Sequence, residues 1–235
     1  MGSPMACIAS PVDAPGGARR VVLFDFDGVL VRGDSFTRFM RARYASAWPR
    51  AIPLLLAAPL LGLAATTRRG RRALERGLVH WGLRGLDERA YHARARAFGR
   101  SLADDARNLQ RAAFTALRRH RHAGDRVVVV TGCEHVLARA ILDHLGLHDV
   151  ELVASRFAHG GGGPRIACRN VGREKLRQLA ALGIEPTWDV AYSDSLVDLP
   201  MLGGAAEAVL VNVETAGFDR ARAVLGERVR RVDWR

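Results

Sequence analysis

Five short apolar runs, each ending in a polar or acidic residue, constrain this chain more than any other feature. They are "RVVLFDFDG" (20–28), "DRVVVVTG" (125–132), "DVELVAS" (149–155), "DVAYSD" (189–194) and "AVLVNV" (208–213). Runs of this length and β-branched content read as strands buried on both faces. Helical patterns over 134–146, 173–183 and 198–204 lie between them. Strand–helix alternation of this kind implies an α/β fold, a doubly wound parallel sheet with right-handed crossovers. Ligands in such sheets bind at the carboxyl ends of the strands. Asp25, Asp27, Thr131 and Asp194 all fall there.

Residues 35–103 break the alternation. The stretch has no β-rich run and is dominated by Arg, Ala and Leu. It reads as a helical cap inserted after the first strand, over the active face. The core is then expected to comprise 19–34 and 104–235. Within the insert, Ala51–Thr67 is almost wholly apolar, carries Pro53, Pro59 and Gly62, and is bracketed by Arg50 and Arg68–Arg69. A spanning helix needs about 20 apolar residues, so this one is short. A single crossing would also leave Asp25 and Asp194 on opposite sides of the bilayer. Two readings stand: a re-entrant or interfacial element, or the buried interior of the cap. The "GGGG" at 160–163 lies between "ELVASRF" and "RIACR" and reads as a hairpin turn. It opens no helix, which argues against a phosphate-cradling loop. Residues 1–18, rich in Pro and Gly and without a basic start or long apolar core, read as a disordered lead and not a secretory signal.

Composition bounds the partners. The 235 residues carry a net charge of +12, which suits an acidic partner: nucleic acid, anionic lipid or a phosphorylated substrate. The basic runs lack interleaved aromatics and no nucleic-acid motif occurs, so a nucleic-acid-binding protein is the competing class and no nucleic acid is expected. The run "RRHRH" (118–122) ends a helical pattern, where cations suit the helix dipole. Arg68, Arg69, Arg71 and Arg72 beside the apolar stretch suit anionic headgroups through 51–72, or else form a solvated basic face. Cys7, Cys133 and Cys168 are widely spaced, with no CxxC, and indicate neither a zinc knuckle nor a disulfide framework. A cytoplasmic location fits, peripheral on the cytoplasmic face of the inner membrane if the apolar stretch meets lipid.

Among 36 Lys and Arg residues there is one lysine, Lys175. Arg is a broad planar fork, whereas Lys is a compact point charge. A small cavity that must set one cation beside a carboxylate or phosphoryl group accepts only the second.

Asp25 and Asp27 stand at i and i+2, and Asp194 and Asp198 at i and i+4. Taken singly, such residues are commonly helix caps or turn residues. Four carboxylates converging on one rim repel one another, and a divalent cation relieves that cost. All-oxygen ligation suits Mg²⁺.

The pattern resembles the haloacid dehalogenase (HAD) superfamily. "DFDGV" stands where that family has its DxDx[TV] motif, and "VVVVTG" where an apolar strand ends in Ser or Thr. "GREKL" supplies the lysine at a helix start, and "YSDSLVDLP" the acidic pair after a strand. The motifs occur in order over 21–213. The resemblance implies Asp25 as nucleophile, forming an aspartyl-phosphate, and Asp27 as general acid and base. It implies Mg²⁺ held by Asp25, the Asp27 backbone carbonyl and Asp194, with Asp198 orienting its waters. Thr131 and the Gly132 N–H would bind phosphoryl oxygens, and Lys175 would neutralise Asp25 and the transferring group. The presence of Asp27 favours phosphatase chemistry over dehalogenation.

The helical insert resembles subfamily IB, the phosphoserine-phosphatase-like branch. "RAIPLLLAAPLLGL", "RRGRRALERGLVHWG", "LVASRF", "CRNVGREKL" and "YSDSLVDLPML" look closest to phosphatidylglycerophosphatase C. On that resemblance the substrate is a lipid phosphate, with Arg169 contributing to its recognition. The alternative is a soluble phosphatase for phosphoserine or another small metabolite. Asp34 stands where phosphoserine phosphatases place a Glu for the substrate amine. It is either that residue or a helix N-cap.

Overall fold

The computed structural model describes residues 19–160 and 162–234, so the readings of residues 1–18 and of Gly161 lie outside the described residues. The centre of the sheet is β1 (Val21–Phe24), flanked by β2 (Arg126–Glu134) and β5 (Trp188–Ser193). Leu23 is in register with Val128 on one side and Ala191 on the other, and both pairings are parallel. Outside β2 lie β3 (Glu151–Ala158) and β4 (Arg165–Cys168). Outside β5 lie β6 (Ala205–Val211) and β7 (Val229–Val232). The order is β4-β3-β2-β1-β5-β6-β7, parallel throughout except for β3–β4. The chain therefore winds outward from β1 in both directions, and the switch between the two directions falls at β1. That is the position where an open α/β sheet opens a crevice at its carboxyl edge.

Period-two side-chain alternation explains why both faces are covered. Val22 and Phe24 of β1, with Val127 and Val129 of β2, join one buried cluster. Leu23, with Val128 and Val130, joins the other. The first face is covered by α6 (Arg111–His122) and α7 (His135–His144), through Leu117, Leu137 and Ile141. The second is covered by α8 (Arg173–Ala180), α9 (Leu199–Gly203) and α10 (Thr215–Leu225), through Leu179, Met201 and Ala221. The fold is the expected α/β doubly wound sheet. The Gly-rich turn joins β3 to β4 antiparallel, with Phe157 opposite Ile166, as expected of a hairpin. The short edge strand β7 and the helix α10 have no counterpart among the sequence expectations.

Five helices leave the sheet between β1 and α6: α1 (Ser35–Ser46), α2 (Ala51–Leu56), α3 (Ala58–Ala64), α4 (Arg68–Leu83) and α5 (Glu88–Asp104). The insertion is tied to the sheet layer by α5 lying on α7. A Cβ on Gly99 would come 3.0 Å from Ala140 Cβ and 3.2 Å from the Leu137 carbonyl, so glycine sets the approach of the two helices. Tyr91 of α5 donates to Glu134 Oε2 at 2.5 Å. Glu134 also caps α7 by accepting from the Val136 and Leu137 N–H groups.

The apolar stretch is broken into α2 and α3, with Pro53 in the first turn of one and Pro59 in the first turn of the other, where a missing N–H costs least. No helix among the described residues is long and apolar enough to cross a membrane. Several of its described side chains are not buried in the cap interior: Leu56 is 80% exposed, Leu63 70% and Ile52 41%, and Trp48 just before it is 67% exposed.

Candidate active site

The carboxyl ends of β1, β2 and β5 open into one cavity of ≈ 890 Å³, bounded on its other side by α1 and α4. All the residues singled out from the sequence line it: Asp25, Asp27, Asp34, Thr131, Gly132, Arg169, Lys175, Asp194 and Asp198.

Asp25 directly follows β1 and is locked there. Its N–H donates to the Tyr192 carbonyl of the neighbouring β5 at 2.9 Å. Its Oδ1 accepts from the Phe26 N–H at 2.8 Å and from Lys175 Nζ at 3.0 Å. Lys175 enters from the first turn of α8, is 2% exposed, and donates a second bond to Asp198 Oδ2 at 2.6 Å. Ser193 Oγ donates to the same Asp198 oxygen at 2.8 Å. Burial alone would strip the charge from Lys175, but the two carboxylates outweigh it and raise its pKa. Burial raises the Asp25 pKa well above the carboxylate range, against the pull of Lys175; Asp198 and Asp194 add to the rise.

Asp27 lies in the tight loop after β1, where Gly28 takes φ +77°. Its Oδ1 accepts from the Ser35 N–H at 2.8 Å, at the start of α1. Burial pushes its pKa up to about 7, with the Ser35 bonds opposing and Asp34 and Asp194 adding to the rise. Asp194 follows β5, and its pKa is raised to about 6 by burial first and by Asp198 second. A Cβ on Gly28 would lie 1.8 Å from Asp194 Oδ2, so the loop accepts the carboxylate only because residue 28 is glycine.

Thr131 ends the apolar part of β2 and is fully buried; its Oγ1 accepts from the Cys133 N–H at 2.9 Å. Its hydroxyl proton is thereby left to point at another acceptor. Two residues not singled out from the sequence fix this strand end. Asn170 Nδ2 donates to the Thr131 carbonyl at 3.0 Å and to the Val153 carbonyl at 2.9 Å. Ser155 Oγ donates to the Gly132 carbonyl at 2.7 Å. Their signal in the sequence is faint: a polar residue closing the third apolar run, and an Asn just before "VGREKL". Cys133 receives a bond from Ser35 Oγ at 3.2 Å, is buried, and has its thiol pKa raised by that burial. It packs the base of the loop. Cys168 is disulfide-bonded, where the sequence reading indicated no disulfide framework.

Asp34 is the N-cap of α1, accepting from the Thr37 N–H at 2.6 Å, and faces the cavity as well. Arg169 is paired with Glu75 of α4 at 2.9 Å across the cavity mouth. The insertion contributes an apolar wall of Met40, Tyr44, Leu74, Leu78 and Val79, with Arg41 and Arg71 on it.

The donor set fits a hard divalent cation: all-oxygen, anionic, and poorly compensated, with one ammonium facing Asp25, Asp194 and Asp198. The four carboxylates do not share one point. Among the described residues, no three of them bring an oxygen each to within 4.8 Å of one another. Asp198 is committed to Lys175 and Ser193, and the Asp27 side chain to Ser35. Asp25 and Asp194 are the carboxylates left for an ion.

The family model described as haloacid dehalogenase-like hydrolase matches residues 22–203. Protein CicA of Caulobacter vibrioides is 28% identical over 206 residues, covering 80% of this chain and 83% of CicA. A protein of unknown function from Bordetella pertussis Tohama I superimposes with a TM-score of 0.59 at 22% identity, covering 91% of this chain and 98% of that one. A phosphoserine phosphatase solved as a phospho-aspartyl intermediate analogue has a TM-score of 0.53 at 18% identity, covering 92% and 94%. At these identities the two structures share the fold.

Proposed function

The chain belongs to the haloacid dehalogenase-like hydrolase family, and from that premise we propose that it is a Mg²⁺-dependent phosphomonoesterase. The observation that carries this reading is the Asp25–Lys175–Asp198 chain beside an Asp27 whose pKa is about 7. Lys175 opposes the burial that raises the Asp25 pKa, and a bound dication would oppose it further; the carboxylate so held is a nucleophile. A carboxyl that titrates near neutrality is a proton donor and acceptor. The domain assignment proposed with it is a core of 19–34 and 104–235 and a cap of 35–103.

In the first step Asp25 attacks phosphorus. Both hydrogen bonds fall on Oδ1, so the attacking atom is assigned as Oδ2. The P–O ester bond breaks, and the departing alkoxide takes the proton of Asp27. In the second step Asp27, now a carboxylate, takes a proton from water. The resulting hydroxide attacks phosphorus, and the P–O bond to Asp25 breaks, releasing phosphate. Thr131 Oγ1 and the Gly132 N–H hold two phosphoryl oxygens. Lys175 offsets the charge gathering on the third and on Asp25. Asp25, the Asp27 carbonyl and Asp194 would hold Mg²⁺, with Asp198 orienting its waters. The ion would supply further charge neutralisation at the transferring group. The phosphoserine phosphatase captured as a phospho-aspartyl analogue lends this route a precedent on the same fold.

The substrate class proposed is a lipid phosphate at an anionic membrane surface, with phosphatidylglycerophosphate as the specific candidate. Its support is a run of exposed apolar side chains, Trp48, Ile52, Leu56 and Leu63, that precedes the basic start of α4 in the chain. Apolar side chains flanked by arginines suit the headgroup boundary of an anionic bilayer. Arg71 lies both on this basic turn and on the cavity wall, so a headgroup held there would sit at the mouth of the site. The enzyme would then act peripherally, from the cytoplasmic face of the inner membrane. Phosphate release would be measured with Mg²⁺ from phosphatidylglycerophosphate in anionic vesicles and, in parallel, from phosphoserine and other soluble esters. Preference for the vesicle substrate is expected. Preference for a soluble ester overturns the lipid assignment and leaves the phosphatase assignment standing.

A further inference from the structure

A second group of ligand-type side chains lies away from the cavity, where α5 meets the end of β3. Glu88 and His92 are one turn apart on the same face of α5, and His159 directly follows β3. One ligand atom from each lies within 4.8 Å of the other two. His92 Nε2 stands 4.0 Å from Glu88 Oε1, too far for a hydrogen bond. The two imidazoles meet edge to face, with centroids 5.5 Å apart. Tyr91 lies against both rings, at 5.9 and 5.7 Å. Tyr91 is itself fully buried and anchored on Glu134, so the histidines rest on a fixed support. His159 Nδ1 is buried without a hydrogen-bond partner, a cost that a native structure ordinarily avoids.

From this geometry we propose that Glu88, His92 and His159 form a binding site for a borderline transition-metal dication of the Zn²⁺ type. Two imidazole nitrogens and one carboxylate oxygen are a recognised three-ligand set for Zn²⁺, with the fourth position left to water. Bonds of about 2.1 Å would draw the ligand atoms to roughly 3.4 Å apart. Glu88 is exposed, so its carboxylate can rotate toward the two imidazoles. Arg89 and Arg96 face the same depression and oppose a dication, so affinity is limited by their charge. The ion would join the helical insertion to the strand that leads into the glycine hairpin. Gly163 of that hairpin already approaches the carbonyl of Leu83, at the end of α4; a Cβ there would be 2.9 Å away. Metal binding would thus clamp the insertion onto the end of β3.

The test is titration of the full chain with Co²⁺ as a spectroscopic probe, in excess Mg²⁺ so that the Asp25–Asp194 site does not take the probe. One equivalent should bind, with the visible bands of four-coordinate Co²⁺. Affinity should fall at least about tenfold in His159→Ala and in Glu88→Gln. Zn²⁺ should raise the melting temperature of the wild type and not that of His159→Ala. Glu88 is exposed, so Glu88→Gln decides the matter if His159→Ala does not fold. No bound Co²⁺ under these conditions, or unchanged affinity in Glu88→Gln, means an adventitious ion only and overturns the proposal.

Discussion

Lys175 Nζ lies 3.0 Å from Asp25 and 2.6 Å from Asp198, so a single ammonium couples the end of β1 to the segment after β5. The chain has 36 cationic residues of the Lys and Arg type and uses its one lysine here. The geometry gives a reason. The side chain is 3% exposed and fits between two carboxylates that are themselves almost fully buried. A guanidinium is larger and planar, and would have to displace one of them. Lys175→Arg should therefore lose at least about a hundredfold in turnover although the charge is kept. Steady-state phosphate release checks this, and near-normal turnover would refute the size argument.

The pH dependence of stability reports on Asp27. Its pKa rises from 3.8 to about 7 on folding. Between those values the native state holds a proton that the unfolded state has released, so stability falls as pH rises. The metal-free wild type should thus lose stability between about pH 4 and pH 7 relative to Asp27→Asn, which carries no such charge. The variant should match the wild type near pH 4 and melt higher at pH 8. Parallel melting curves across the range would contradict the burial assigned to Asp27.

Gly28 is a packing requirement of the loop that carries Asp27 against Asp194. A methyl group there would lie 1.8 Å from Asp194 Oδ2, and φ is +77°. Gly28→Ala should displace Asp194 and weaken Mg²⁺ binding by roughly tenfold or more, in proportion to the loss of a well-placed ligand. Calorimetric titration with Mg²⁺ gives the answer directly; an unchanged affinity would mean that Asp194 does not hold the ion.

Substitution of the exposed apolar side chains of α2 and α3 tests the proposed membrane docking separately from chemistry. Leu56→Ser together with Leu63→Ser removes two side chains with little to lose in the fold, since both are largely exposed. Each leucine buried in a bilayer contributes about 1.5–3 kcal/mol. The double variant should therefore bind anionic vesicles more than about tenfold more weakly. Turnover of a soluble ester should be unchanged. Equal sedimentation with vesicles would remove these residues from the docking surface.

Much of the fold is legible in the sequence because its physics is local. A parallel strand buried on both faces shows as an unbroken apolar run, as in Val127–Val130. The polar and acidic residues that end such runs mark the ligand-binding edge of the sheet. β7 is not legible in this way: its "VRRV" is a short edge strand with two exposed arginines, and only the neighbouring β6 makes it a strand. The partners of each carboxylate are equally hidden. Nothing in the spacing of Asp194 and Asp198 says that the second turns to Lys175 and Ser193 while the first faces Gly28. Asn170 and Ser155 act through carbonyls on another strand, contacts that no one-dimensional pattern contains. For Asp34 the N-cap reading is realised at α1, and the same residue lines the cavity.

Asp25 as the phosphate acceptor is the central claim, and the most direct test is to catch the phosphorylated residue. Wild-type enzyme mixed with Mg²⁺ and a turned-over phosphate ester would be quenched in acid within the first turnover, digested, and analysed by mass spectrometry. The expected result is one added phosphoryl group on the peptide containing Asp25, removed by hydroxylamine and absent from Asp25→Asn, which should be inactive. Rapid phosphate release with no adduct on that peptide, or undiminished turnover by Asp25→Asn, would contradict it.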